Sequence, residues 1–161
     1  MTSGLFQLGD LGMLTREDVR QLALQAKERF GLTWPRLGEM VGCSPVYAAL
    51  LVYGYRQATQ EEAEALTGAL DLPEEAKGVL RQVPHRTPAQ PWPPTDPFIY
   101  RLYEVVMLYG PVFRDVAHEL FGDGIMSAID LAMDIRKIED PPGVPRMVLS
   151  LDGKWLQYKK F

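Results

Sequence analysis

An arginine and a glutamate three residues apart, Arg101 and Glu104, and a lone serine further on, Ser127, are the residues here whose types and spacing could do chemistry. At i and i+3 on a helix the first two share a face. A guanidinium in that position can hold a small anion through its planar fork, and an adjacent carboxylate can orient it or move a proton. A serine hydroxyl can donate a hydrogen bond to the same anion. Plainer readings stand beside these. Such a pair is commonly an exposed ion pair worth under about 0.5 kcal/mol. An inward serine is commonly a core hydroxyl satisfied by its own backbone.

Local context favours the chemical reading for Arg101. Its neighbours Ile99, Tyr100, Leu102, Tyr103, Val105 and Val106 make the helix so apolar that the guanidinium is expected in an interface cavity. Ser127 is the single hydroxyl on a face otherwise formed by Ile125, Ile129, Leu131, Met133 and Ile135. No cue links His118 to Ser127 and no G-x-S-x-G elbow is present, so a Ser-His-Asp arrangement has no support. The Gly122–Asp123–Gly124 turn could aim N–H groups at an anion, although reversal of the chain is its default role. Tyr100, Tyr103 and Tyr109 read as packing residues, Met126, Met133 and Met147 as core filling, and Cys43 as a small hydrophobe.

The elements that must carry these residues begin at Asp96, an N-cap followed by Pro97 at the favoured first position. The spacing predicts a helix to Leu108, a stop at Gly110, and a second helix from Pro111 to Phe121. From Ile125 the period becomes two, which predicts a one-sided strand. DPPG at 140–143 then turns the chain, MVLSL at 147–151 returns it, and Asp152–Gly153 predicts a tight hairpin into KWLQY. A piece this small is too little for a self-sufficient core, so a homo-oligomer with strands paired or interleaved between copies is expected.

The preceding half reads as short capped helices. Thr15 caps a helix to Phe30 with Gly31 as its stop, Thr33 caps WPRLGEMV before Gly42, and Ser44 caps PVYAALLVY before Gly54. Thr59 and Glu62 form a capping box, and a last helix spans Glu74 to Gln82. The corner at Gly42–Ser44 suggests a helix-turn-helix. Its would-be recognition helix, Val46 to Tyr53, contains no Lys, Arg, Asn or Gln, the side chains that base readout and phosphate contacts need. An apolar helix of this kind is better suited to burial.

Between the halves, prolines at 84, 88, 91, 93, 94 and 97 exclude a regular helix or central strand. The domains are therefore expected at 1–83 and 98–161, joined by an arm over 84–97 that Trp92 would pin. The fold class is α+β: an N-terminal helical bundle and a small C-terminal dimerisation domain. The 161 residues carry a net charge of −4, which gives no support to nucleic-acid or anionic-membrane binding. One cysteine leaves no internal disulfide and no multi-cysteine metal site, and His85 and His118 are too few for an all-protein zinc or iron site unless carboxylates contribute. The lack of a basic n-region and of a long apolar run predicts a cytoplasmic protein.

The blocks T-D-P-x-x-Y-R-x-Y-E at Thr95–Glu104, F-G-D-G-I-x-S-A-I-D at Phe121–Asp130 and D-G-K-x-L-x-x-K-x-F at Asp152–Phe161 are similar to cyanase. The likeness extends over nearly the whole chain, with the N-terminal half matching in helix layout. It implies a lambda-repressor-like helical domain and a C-terminal domain with antiparallel strands interleaved between subunits. It also implies bicarbonate-dependent decomposition of cyanate to carbamate and carbon dioxide, the carbamate then giving ammonia and a second carbon dioxide. The family's catalytic residues fall on Arg101, Glu104 and Ser127. The resemblance further implies a homodecamer of five dimers, sites shared between subunits, no metal or organic cofactor, and bicarbonate as co-substrate. The rival readings are a helix-turn-helix DNA-binding regulator and a non-catalytic anion-binding oligomer.

Overall fold

The structure, a computed structural model, describes residues 14–85 and 92–159. The reading of the first residues, the stretch 86–91 of the proline-rich arm, and the last two residues of the terminal motif lie outside the described residues. The chain divides into two compact units, Met1–His85 and Arg86–Phe161.

Five helices make up the first unit: α1 (Arg16–Arg29), α2 (Trp34–Val41), α3 (Pro45–Val52), α4 (Gln60–Leu70) and α5 (Ala76–Leu80). Their starts follow from side-chain capping. The Thr15 and Thr59 hydroxyls accept the N–H groups of Asp18 and Glu62 in reciprocal capping boxes, and Thr33 and Ser44 accept those of Arg36 and Tyr47. Gly42 ends α2 in the left-handed region at φ 79°, leaving Cys43 N–H to bond Gly38 O at 2.9 Å. A side chain at Gly38 would meet Cys43 O at 2.7 Å, so this glycine permits the tight α2–α3 corner. Leu37, Leu51, Leu66 and Leu70 are fully shielded at the centre of one core. The α3 helix contributes Ala48, Leu51 and Val52 to that core, the burial its composition called for. The last helix is shorter than Glu74 to Gln82.

The second unit consists of α6 (Pro97–Phe121) followed by β1 (Gly124–Glu139) and β2 (Pro145–Gln157), which pair antiparallel. Asp96 caps α6 by accepting from Phe98 and Ile99 N–H at 2.9 Å. Three expectations are corrected here. The stop at Gly110 and restart at Pro111 do not occur, since α6 is continuous through both. Proline drives its predecessor out of the helical region partly by a clash with that residue's Cβ, and Gly110 has none. Pro111 gives up a single ladder bond, the one its nitrogen would donate to Met107 O.

Second, Asp152–Gly153 is not a hairpin turn. It lies inside β2, opposite Ala132 and Leu131, and the chain reverses once, over 140–144. Third, β1 does not keep one face. Met126 pairs with Trp155 and Leu131 with Gly153, so the four residues Ser127–Asp130 stand opposite Lys154 alone. This bulge turns the pleat over. Met126, Leu131, Met133 and Ile135 share a face with Trp155, Leu151 and Leu149, while Ile125 points with Leu156 to the other.

Among the described residues, no α6 residue is buried, and Met126, Ile135, Met147, Leu149 and Leu151 are exposed. The Met126 and Met147 side chains, expected as core, therefore cover no core within the chain. No helix among the described residues is long and apolar enough to cross a membrane.

Candidate active site

Arg101 and Glu104 lie in the N-terminal part of α6, where the Asp96 cap and Pro97 set the helical phase that puts them on one face. Arg101 Nη1 donates to Glu104 Oε2 at 2.5 Å. The arginine side chain is 75% exposed and the glutamate 33%. At that exposure the pair contributes little to stability, about 0–1 kcal/mol. Among the described residues this is the single hydrogen bond of Arg101, so four of its five N–H donors remain free for an anion. The neighbouring surface is aromatic: the rings of Tyr100 and Tyr103 meet edge-on at 6.1 Å, and Trp92 stands against Tyr103 at 4.4 Å.

Ser127 opens the bulge of β1 and is 6% exposed. Its Oγ accepts from Ile129 N–H at 3.1 Å and Asp130 N–H at 2.9 Å. This satisfies the plain expectation that a buried hydroxyl finds backbone partners. It also has a chemical consequence. With both acceptor positions of Oγ taken, the hydroxyl proton is what the serine has left to offer. Two N–H groups on the oxygen also polarise the O–H bond and strengthen it as a donor. Ser127 is thus arranged as a hydrogen-bond donor, and poorly arranged as a nucleophile or base.

The chain brings Arg101 and Glu104 together and shows no contact between that pair and Ser127. At about 1.5 Å per residue, roughly 30 Å of helix separates Arg101 from Phe121, and Ser127 follows that end. The contacts that tie α6 to the hairpin lie at its last turn. His118 Nε2 is 3.2 Å from Gly124 O, and the rings of His118 and Phe121 lie 5.9 and 5.3 Å from that of Trp155. His118 is therefore occupied in joining helix to strand.

Sequence reasoning missed the bulge, and with it the N–H groups of Ile129 and Asp130. A serine followed within three residues by an aspartate was the available signal, because such a hydroxyl competes locally with the strand ladder. Cys43 sits half-buried at the α2–α3 corner, and burial, with Glu62 adding to it, raises its thiol above the usual range. It is a small hydrophobe there.

Comparison with known proteins gives the following likenesses. Residues 16–84 match a family model described as cyanate hydratase, N-terminal, and residues 91–160 one described as cyanate lyase C-terminal domain. Cyanate hydratase of Sulfurisphaera tokodaii is 55% identical over 149 residues, spanning 92% of this chain and 100% of the relative. That of Aquifex aeolicus is 52% identical over 149 residues, spanning 91% and 99%. Among solved structures, the crystal structure of cyanase from T. urticae superposes with a TM-score of 0.78 at 33% identity, covering 86% of this chain and 96% of that one.

Proposed function

The chain belongs to the cyanate hydratase family, and from that footing we propose that Arg101, Glu104 and Ser127 act together in the bicarbonate-dependent decomposition of cyanate. It is an enzyme of that family, a lyase acting on cyanate. The observation that carries the assignment of residues is the Arg101–Glu104 pair: a guanidinium oriented by a carboxylate, on an apolar helix, with most of its donors unspent.

The chemistry needs such a group. Cyanate and bicarbonate are both monoanions and repel each other, most strongly where water is excluded. A bicarbonate oxygen attacks the cyanate carbon, and the bicarbonate proton passes to the cyanate nitrogen, giving a dianionic adduct. The bond from the transferred oxygen to the bicarbonate carbon then breaks and releases carbon dioxide. The oxygen stays on the former cyanate carbon, and uptake of one proton at nitrogen leaves carbamate. A further proton converts carbamate to ammonia and a second carbon dioxide. Arg101 neutralises part of the dianion, and the Ser127 hydroxyl donates to an oxygen of it. Fixed donors aimed at charge as it develops are an effective way to lower such a barrier. Holding two tiny reactants in line supplies much of the rest. Glu104 orients Arg101 and relays the proton that reaches nitrogen.

The reaction so written uses bicarbonate as co-substrate and asks for no metal or organic cofactor. The active unit is a homo-oligomer, a decamer of five dimers in the cytoplasm, with each site assembled across subunits. Two features support that. The roughly 30 Å of helix between Arg101 and the end leading to Ser127 is more than these side chains bridge. The bare apolar faces of α6 and of the hairpin need another copy to cover them.

Ammonia release from cyanate by the purified full-length chain, with and without bicarbonate in carbon-dioxide-depleted buffer, tests the reading. Bicarbonate-dependent release that Ser127→Ala reduces by 100-fold or so is expected. Release indifferent to bicarbonate, or an unimpaired Ser127→Ala variant, overturns the mechanism.

A further inference from the structure

We infer that Gly153 is a positioning residue for the Ser127 hydroxyl. The inference rests on the role proposed above for Ser127. Gly153 lies within β2 opposite Leu131, beside the point where Ser127–Asp130 bulge out of β1. Its backbone is not in the left-handed region, so conformational freedom is not why a glycine stands there. The reason is space. A Cβ at this position would come within 2.5 Å of Met126 Cγ, 2.7 Å of the Ser127 carbonyl oxygen and 3.1 Å of Met126 Sδ.

Those contacts differ in what they can yield. Met126 is a flexible side chain, half-exposed on the sheet face, and can move aside at modest cost. The Ser127 carbonyl cannot move without its peptide, and that peptide sets where the bulge leaves the strand. The hydroxyl is fixed to the same loop through Ile129 N–H and Asp130 N–H. A methyl group at 153 therefore pushes on the backbone of the bulge and shifts the hydroxyl with it. The bulge closes against a strand with no side chain under it, and that contact sets the height of Ser127 above the sheet. Gly153 touches no substrate in this scheme and acts through Ser127 alone.

The test is a double-mutant cycle on the full-length oligomer with Gly153→Ala and Ser127→Ala, reading kcat and the cyanate KM separately. A donor moved by about an ångström loses stabilisation of the adduct more than binding of the substrate. Gly153→Ala is thus expected to lower kcat roughly 10- to 100-fold, with KM nearly unchanged. In the Ser127→Ala background it should lower the residual kcat no further. An unimpaired Gly153→Ala variant, or a full additional loss in that background, overturns the inference. If Ser127→Ala alone is unimpaired, the assignment of Ser127 fails first, and a loss in Gly153→Ala then shows a structural role. Where Gly153→Ala does not assemble, the Met126→Ala, Gly153→Ala double variant removes both side-chain contacts and keeps the one with the carbonyl. The same loss of kcat is expected from it, and full activity overturns the inference.

Discussion

Leu37, Leu51, Leu66 and Leu70 of the N-terminal unit are shielded completely from solvent, whereas in the C-terminal unit α6 carries 25 residues without burying one. Both units are rich in apolar residues, but they use them differently. In the first, five short helices close on one another around a shared core. In the second, Val106, Leu108, Val112, Phe113 and Val116 remain exposed along α6, and Ile135, Leu149 and Leu151 on the hairpin. That much apolar surface facing water marks an interaction site. The candidate catalytic residues all belong to the unit that cannot complete itself. The buried core thus lies in one unit, and the candidate chemistry in the one whose apolar faces are bare.

Separating the halves tests that contrast most severely. A fragment spanning 14–85 is expected to unfold cooperatively as a monomer, at the lower end of the size at which single domains hold together. A fragment spanning 92–159 should either self-associate or lack a cooperative transition. Sedimentation and thermal circular dichroism read both outcomes, and a stable monomeric C-terminal fragment would break the comparison.

The next effect is on turnover. Arg101→Ala should lower kcat/KM by roughly 100- to 1,000-fold, the scale for losing a fixed donor to a developing anion. Within one chain its exposed ion pair contributes little to stability, and its proposed role is toward the anion and not toward a neighbouring copy, so oligomer mass and melting temperature should hold. Dissociation of the oligomer in this variant would make Arg101 a structural residue. The reverse case is Leu66→Ala, which opens a cavity in a fully buried site and should cost about 2–5 kcal/mol. Below its lowered melting temperature, the variant should retain nearly full turnover per assembled oligomer. A large loss of kcat there would show that turnover depends on the N-terminal core more closely than the division into two units suggests.

The contrast also governs what could be read from the sequence. Caps at Thr15, Thr33, Ser44, Thr59 and Asp96 were legible because a cap is a contact between residues two or three apart. Arg101 and Glu104 were legible for the same reason. Gly110–Pro111 misled because the usual break before proline depends on a Cβ that glycine lacks. Asp152–Gly153 has the composition of a tight turn, yet the pairing of β1 with β2 decides where the chain reverses, and that is a long-range fact. Ser127 stood out as the one hydroxyl on its face, but the face itself was misassigned. A bulge flips the pleat without any change in the alternation of residue types on either side of it.

Acid sensitivity should be the smallest of these effects and should belong to the N-terminal unit. The Asp18 carboxylate accepts from the Thr15 hydroxyl at 2.5 Å and from Thr15 N–H at 2.8 Å, and those bonds hold its pKa below the usual aspartate range. Glu17 is held low as well, by hydrogen bonds from Gln21 and Arg20. A carboxyl that is more acidic folded than unfolded stabilises the fold above its unfolded pKa, and that contribution is lost as pH falls through the folded value. The N-terminal transition should therefore move to lower temperature as pH drops below about 4, the ordinary aspartate value. Asp18→Asn keeps an acceptor oxygen but cannot titrate, so it should melt slightly lower near neutrality and respond less to acid. An unchanged acid response in that variant would move the sensitivity to Glu17 or beyond α1. Loss of the oligomer before the N-terminal helices melt would place it in the C-terminal unit.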